Sequence, residues 1–308
     1  MKRVTHKQSK KNNKTKGKKF SWQTVAGVIV VAVCCVAGAV VAISNRESVD
    51  YVVETNAFFA PFEYYEGRKI VGVDIEIINR VAEKLNAKIA VKDVEFDVII
   101  DNVEAGKIAD AGAAGLTITP ARSEKVNFSI PYYSSVQYLI FSVNNVPELS
   151  NANIIYDAAN KPKYDGYVVW DALAGKTLGT QTGSTGYLFA SDEIDQGALA
   201  GTGTELKGFE SHQLAADAIN SHIIDYAIAD ELAAKFIVDK NNSLAAVPLY
   251  YSGEPDYPVE ESYAIAVNKE KTELLEAFNE VLAEMLTEDA NGETEIDRLV
   301  LKYMGLSE

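Results

Sequence analysis

The chain has 308 residues, with 29 Lys and Arg against 44 Asp and Glu and a formal charge of −15. Residues 1–46 carry ten cations and no acid, so the chain from residue 47 onward sets 19 cations against all 44 acids. A body that acidic repels phosphate backbones, which excludes nucleic-acid binding by the folded part, and a 47% hydrophobic, 24% charged composition excludes wholesale disorder.

Residues 1–24 read as a basic cytoplasmic tail, a positive flank facing anionic lipid. From Val25 to Ile43 run nineteen residues without a charge. As a helix they span about 28 Å, close to the ~30 Å hydrocarbon layer. Nine cations precede this segment and Phe20 and Trp22 sit at its edge, which keeps the amino end inside and sends the acidic body out. The same order of basic, apolar and small residues describes a signal peptide, with Ala37-Gly38-Ala39 or Val40-Val41-Ala42 as the cut site. The apolar run is longer than the usual signal core of roughly 7 to 15 residues, which favours an uncleaved transmembrane anchor. The expected location is the cell membrane with the body on the extracytoplasmic side, or the periplasm or medium if the segment is cut. Cys34 and Cys35, the only cysteines, lie inside this run, so the exported part has no disulfide framework.

In the body, strand-like apolar runs alternate with helical periodicity, the pattern of an α/β fold. Asp74 reads as the cap of a helix whose Ile77, Ile78, Val81, Ala82 and Leu85 share a face. Asp97 to Ala105 repeats this more briefly and stops at Gly106. Asn144 to Asp165, rich in Asn, Pro and Lys, reads as a loop region. Leu274 to Leu286 is a helix, followed by a turn at Asn291-Gly292 and a last helix through Ile296, Leu299 and Val300. VEAGKIADAGAAG, ending at Gly115, is echoed 115 residues later by AINSHIIDYAIAD, ending at Asp230. Each reads as a helix end, a tight turn and a short apolar strand. Two similarly built lobes would bring Gly115 and Asp230 face to face, at strand ends where open α/β sheets bind ligands.

Some residues suggest their own chemistry. The Arg122 guanidinium can grip a carboxylate through two parallel hydrogen bonds, and at a helix start its charge opposes the dipole, which favours a functional role over a structural one. Gly183, Ser184 and Thr185 form a glycine-rich turn between a strand and a helix, where exposed amides suit a carboxylate. The string GTQTGSTG lacks the lysine of a phosphate loop, and Thr182 breaks the G-x-S-x-G pattern. Asp230, ahead of ELAAKFIV, reads equally as a helix N-cap or as a site acid. The exported part has only His212 and His222, in no ligand spacing, so neither a metal nor a cofactor is expected.

Four segments carry a likeness: Asn56 to Leu85, Ala114 to Tyr133 with AGLTITPARSEKVNFSIPYY, Leu173 to Leu188 with LAGKTLGTQTGSTGYL, and Asp225 to Val238 with DYAIADELAAKFIV. In this order they resemble the extracytoplasmic amino-acid-binding proteins of ABC importers, the polar amino acid family of solute-binding proteins (family 3 type), over about residues 50 to 305. The resemblance implies a two-lobed, periplasmic-binding-protein-like (type II) clamshell with two hinge crossings, preceded by one N-terminal transmembrane helix. Lobe 1 is expected at 49–132 plus 264–308 and lobe 2 at 137–258, with crossings near 133–136 and 259–263. It further implies that Arg122 binds the ligand's α-carboxylate with the turn at Gly183, Ser184 and Thr185. Asp230, with the Gly115 carbonyl and Thr117, meets the α-ammonium group, and Phe59 and Phe96 sandwich the side chain. The expected partners are a free amino acid, the permease subunits of an ABC transporter and the membrane, with no nucleic acid and the protein a monomer.

Asn56 stands where many relatives carry an acid facing the ligand's side chain, and Gln181, near the other wall, is also neutral. Together they lead to the expectation of a neutral polar amino acid over lysine or arginine, unless Glu63 or Glu95 restores a negative charge. Two other classes fit the same scaffold: a dehydratase-type enzyme, which needs an acid over the substrate, and a ligand-binding receptor module, which needs a signalling domain.

Overall fold

The computed structural model describes residues 48–156 and 162–306. The basic tail and the apolar segment 25–43, with the anchor or signal expected there, lie outside the described residues; no described helix is long and apolar enough to cross a membrane.

Strand β1 (Tyr51–Thr55) leads through a three-stranded meander, β2 (Phe58–Phe59), β3 (Glu63–Glu66) and β4 (Lys69–Val71), into helix α1 (Val73–Leu85). Val73, Ile77, Ile78 and Val81 recur on one face of α1 and are buried, as the helical period requires. β5 (Ile89–Asp93), a 3-10 turn (Phe96–Val98), α2 (Ile99–Ala105), β6 (Ala111–Gly112), α3 (Pro120–Lys125) and β7 (Asn127–Phe128) follow. The long strand β8 (Tyr133–Ser142) then opens a second sheet with β9 (Ser150–Tyr156), β10 (Pro162–Val169) and β11 (Thr177–Gln181). Next come α4 (Thr185–Asp195), β12 (Glu205–Phe209), α5 (His212–Asn220), β13 (Tyr226–Asp230), α6 (Glu231–Asp239) and β14 (Leu244–Tyr251). β15 (Tyr257–Pro258), β16 (Glu260–Tyr263), β17 (Ala266–Val267), α7 (Thr272–Met285) and α8 (Glu295–Tyr303) complete the described chain.

Two sheets repeat one plan. The first has the order β5-β1-β6-β17-β7, with β5, β1 and β6 parallel and β17 antiparallel to β6. The second contains β12-β11-β13-β8, with the first three parallel and β8 antiparallel to β13. The 115-residue echo sits at equivalent places in this plan. Asp110 Oδ2 accepts from the Val52 amide at 2.8 Å at the start of β1, and Asp225 Oδ2 accepts from the Thr177 amide at 2.8 Å at the start of β11. One carboxylate per sheet thus ties the strand that follows it to its central neighbour. Between the sheets the chain crosses twice: the first half of β8 pairs antiparallel with β16, Val136 against Glu260 through Tyr133 against Tyr263.

Two local expectations need correction. Asp74 is not a cap. α1 begins after Gly72, and the Asp74 carboxylate, already inside the helix, is buried and accepts from Tyr132 Oη at 2.6 Å and from the Gly115 amide at 3.1 Å. Asn144 to Asp165 is not chiefly a loop, because β9 and β10 pair antiparallel within and beyond it. β9 is the last strand of its sheet, and an edge tolerates the Pro, Asn and Lys that made the segment look irregular.

Candidate functional site

The carboxyl end of β6 from one sheet, and those of β11 and β13 from the other, converge with Phe59 of β2 on one small void. It is lined by Phe59, Phe96, Ala114, Gly115, Thr117, Gln181, Ser184, Thr185, His212 and Asp230. Its volume is about 10 Å³, room for about one water. The walls meet directly. Thr117 Oγ1 lies 3.2 Å from Thr185 Oγ1, and Gln181 Nε2 donates to Asn56 Oδ1 at 2.8 Å.

The backbone explains several identities. Gly115 has φ +55°, and a Cβ there would lie 2.4 Å from Phe59 Cε1, so only glycine lets the aromatic ring close over this carbonyl. Ser184 is the N-cap of α4, its Oγ accepting from the Tyr187 amide at 3.2 Å. The first turn of α4, starting at Thr185, therefore presents its amides at the void's edge, a setting that favours anions. Asp230 occupies the N-cap position of α6 but makes no capping bond; its carboxylate instead accepts from Gln137 Nε2. Of its two sequence readings, the capping one is not used.

Not every expected residue touches the void. Arg122, only 7% exposed, donates from Nη1 to the Thr117 carbonyl at 2.9 Å and from Nη2 to the Gly183 carbonyl at 3.0 Å, linking the two walls. With Gly183 and Phe96 it lines an adjoining cavity of about 220 Å³. Burial pulls its pKa down, opposed by the charges of Glu261 and Asp230. Asn56 lies behind Gln181, its Nδ2 donating to the Val94 carbonyl at 2.8 Å. Gln181 Nε2 also reaches the Glu210 carbonyl at 3.0 Å.

Two buried residues that local sequence does not mark complete the site. His212, the first residue of α5, lines the void with an Nδ1 that has no hydrogen-bond partner, and burial lowers its pKa to about 4. Its ring lies 5.8 Å from that of Phe59. Glu261, on β16, accepts at Oε2 from Thr117 Oγ1 and Thr185 Oγ1, both at 2.6 Å, and at Oε1 from Gln137 Nε2 at 2.6 Å. Burial, and then the neighbouring charge of Asp230, raise its pKa well above the carboxylate range. A second acidic pair lies behind Phe59. Glu63 is wholly buried beside Asp74, its pKa raised by burial and by Asp74. Burial holds Asp74 at about 6 against the hydrogen bonds from Tyr132 and Gly115.

This geometry offers a cation, buried acids, hydroxyls, helix-end amides and two aromatic rings, a set suited to holding a small zwitterion. Residues 51–305 match the model of the bacterial extracellular solute-binding proteins, family 3. The chain belongs to that family. It is 27% identical over 246 residues to the arginine-binding extracellular protein ArtP of Bacillus subtilis (strain 168), covering 79% of this chain and 82% of ArtP. It is also similar to the L-arginine-bound amino acid ABC transporter substrate-binding protein AbpA of Streptococcus pneumoniae, with a TM-score of 0.66 and 28% identity over 83% of this chain and 94% of that one. An ancestral arginine-binding protein bound to glutamine gives a TM-score of 0.64 at 29% identity, covering 83% of this chain and 97% of that one. The fold is therefore the two-lobed periplasmic-binding-protein fold. The chain is an extracytoplasmic solute-binding protein of the amino-acid importer type, not an enzyme.

Proposed function

We propose that this protein captures a free amino acid with a polar side chain outside the cell and passes it to the permease of an ABC transporter, held at the membrane by residues 25–43. The observation that carries the reading is the convergence of Gly115, Thr117, Thr185 and Asp230 around one buried void between Phe59 and Phe96, at the strand ends of both sheets. In this reading lobe 1 is 49–132 plus 264–308, lobe 2 is 137–258, and the β8–β16 pairing is the hinge. Arg122 and the turn at Gly183, Ser184 and Thr185 take the α-carboxylate. Asp230, with the Gly115 carbonyl and Thr117, takes the α-ammonium group. Phe59 and Phe96 flank the side chain, whose tip faces Gln181 with Asn56 behind it.

The uncharged amides of Asn56 and Gln181 support a neutral polar side chain. A specific observation favours a basic one. Both amide nitrogens are already engaged, Asn56 Nδ2 with the Val94 carbonyl and Gln181 Nε2 with the Glu210 carbonyl and Asn56 Oδ1, which leaves Gln181 Oε1 as an acceptor for a ligand that donates. Glu95 and Glu210 line a further cavity of about 280 Å³, on another side of Phe96 from Arg122, and relatives named for arginine point the same way. Thermal shift across the twenty amino acids separates the two. Glutamine or asparagine giving the largest rise in Tm selects the neutral class, and arginine, lysine or histidine the basic one. A largest rise with aspartate, glutamate or leucine, or none with any amino acid, overturns the proposal.

A further inference from the structure

Asp230 lines the void and meets Glu261 in its wall, where Gln137 Nε2 donates to Asp230 Oδ1 and to Glu261 Oε1. They reach this point from different elements, Asp230 from the end of β13, Glu261 from β16 and Gln137 from β8. Both acids are at most 5% exposed. Glu261 also accepts from the Thr117 and Thr185 hydroxyls, which are neutral, and its carboxyl lies within hydrogen-bonding reach of Asp230. The nearby cation, Arg122, has its guanidinium turned to two carbonyl oxygens and is hydrogen-bonded to neither acid. The other titratable groups facing the pair are His212, neutral in this burial, the Tyr263 phenol, and Glu63, whose charge would only add repulsion. Two carboxylates this close, dry and without a hydrogen-bonded cation cannot both be ionised.

We propose that the empty site holds a proton on the Asp230–Glu261 pair, with Glu261 as its carrier, and that the ligand's ammonium group expels this proton to solvent on binding. The inference rests on the functional reading above, in which Asp230 meets that ammonium group. The arriving cation supplies the charge that the pair lacks, so Glu261 ionises and its proton passes to the buffer. The raised pKa of Glu261, caused first by burial and then by Asp230, agrees with this geometry. The sign follows from linkage. The empty pair binds more protons than the occupied one, so affinity rises with pH from the ordinary carboxylate range up to the pKa of the empty pair and is level above it. Glu261 thereby makes the site selective for a ligand amine that is fully protonated.

The test is titration calorimetry of the full chain with L-arginine and, separately, L-glutamine, at one pH in phosphate and in Tris. The two buffers differ in ionisation heat, so release of about one proton per ligand makes the apparent enthalpy buffer-dependent, and Kd should fall by up to about tenfold per pH unit within the window. Glu261→Gln should bind with no buffer dependence. Infrared difference spectra of protein labelled with carboxyl-13C glutamate give a second readout that needs no variant: ligand should remove a protonated-carboxyl band that moves with the label. Binding with buffer-independent heat, or with no loss of a glutamic acid band, overturns this proposal alone, and so does a Glu261→Gln protein that still releases a proton. Failure of every amino acid to bind overturns the functional reading as well.

Discussion

Arg122, which we propose grips the ligand's α-carboxylate, is recognisable by type and held in an unexpected way. Its guanidinium bridges two backbone carbonyls, one from each wall, and so connects Thr117 with Gly183 across the site. Two of its five N–H groups are engaged there, and the others remain for a carboxylate. Leaving a ligand carboxylate buried without its cation costs about 3 to 5 kcal/mol. Arg122→Ala should therefore weaken binding by two to three decades or more, measured by calorimetry. Near-normal affinity would mean that the carboxylate is held elsewhere. Gly115, Thr117 and Asp230 were visible in the sequence because short motifs surround them. Glu261 and His212 were not. Glu261 reaches the site only because β16 lies beside β8, a pairing across more than a hundred residues that leaves no local trace. His212 sits one place after the Ser211 cap of α5, with no metal-ligand spacing to single it out.

At the scale of single elements, strong periodicity was legible and long-range partners were not. The helix expected from Leu274 to Leu286 is α7, Thr272–Met285, because six buried apolar side chains recur along one face. Asp74 reads as a cap in the sequence because its partners, Tyr132 and Gly115, lie forty or more residues away and a cap is the commoner use of an acid at a helix start. The β9–β10 hairpin was missed because edge strands carry the polar composition of loops. The echoed aspartates fall between these cases: the repeat was readable, but the clamp each makes on a neighbouring strand was not. Asp225→Ala frees the Thr177 amide at the start of β11, a loss of about 1 to 2 kcal/mol for an unsatisfied, half-buried donor. Chemical denaturation should show a lowered midpoint with ligand affinity retained. Unchanged stability would show that water replaces the carboxylate without loss.

For the whole molecule, the void sets the requirement for motion. A space of about 10 Å³ admits no amino acid, so the ligand position we propose requires the two sheets to separate along the cleft. The β8–β16 crossing is where the two sheets stay joined. Small-angle scattering should therefore give a larger radius of gyration for the empty protein than for the ligand-saturated one, as for hinge closure in general. Equal radii would mean that ligand entry needs only local rearrangement. The strand order carries a consequence for biosynthesis. β17 lies between β6 and β7 in the first sheet, yet it follows the entire second sheet in the chain. As the polypeptide emerges from its amino end, the sheet that starts first is the one that finishes last. A chain bound for the far side of a membrane thus cannot lock its leading half until its trailing residues arrive.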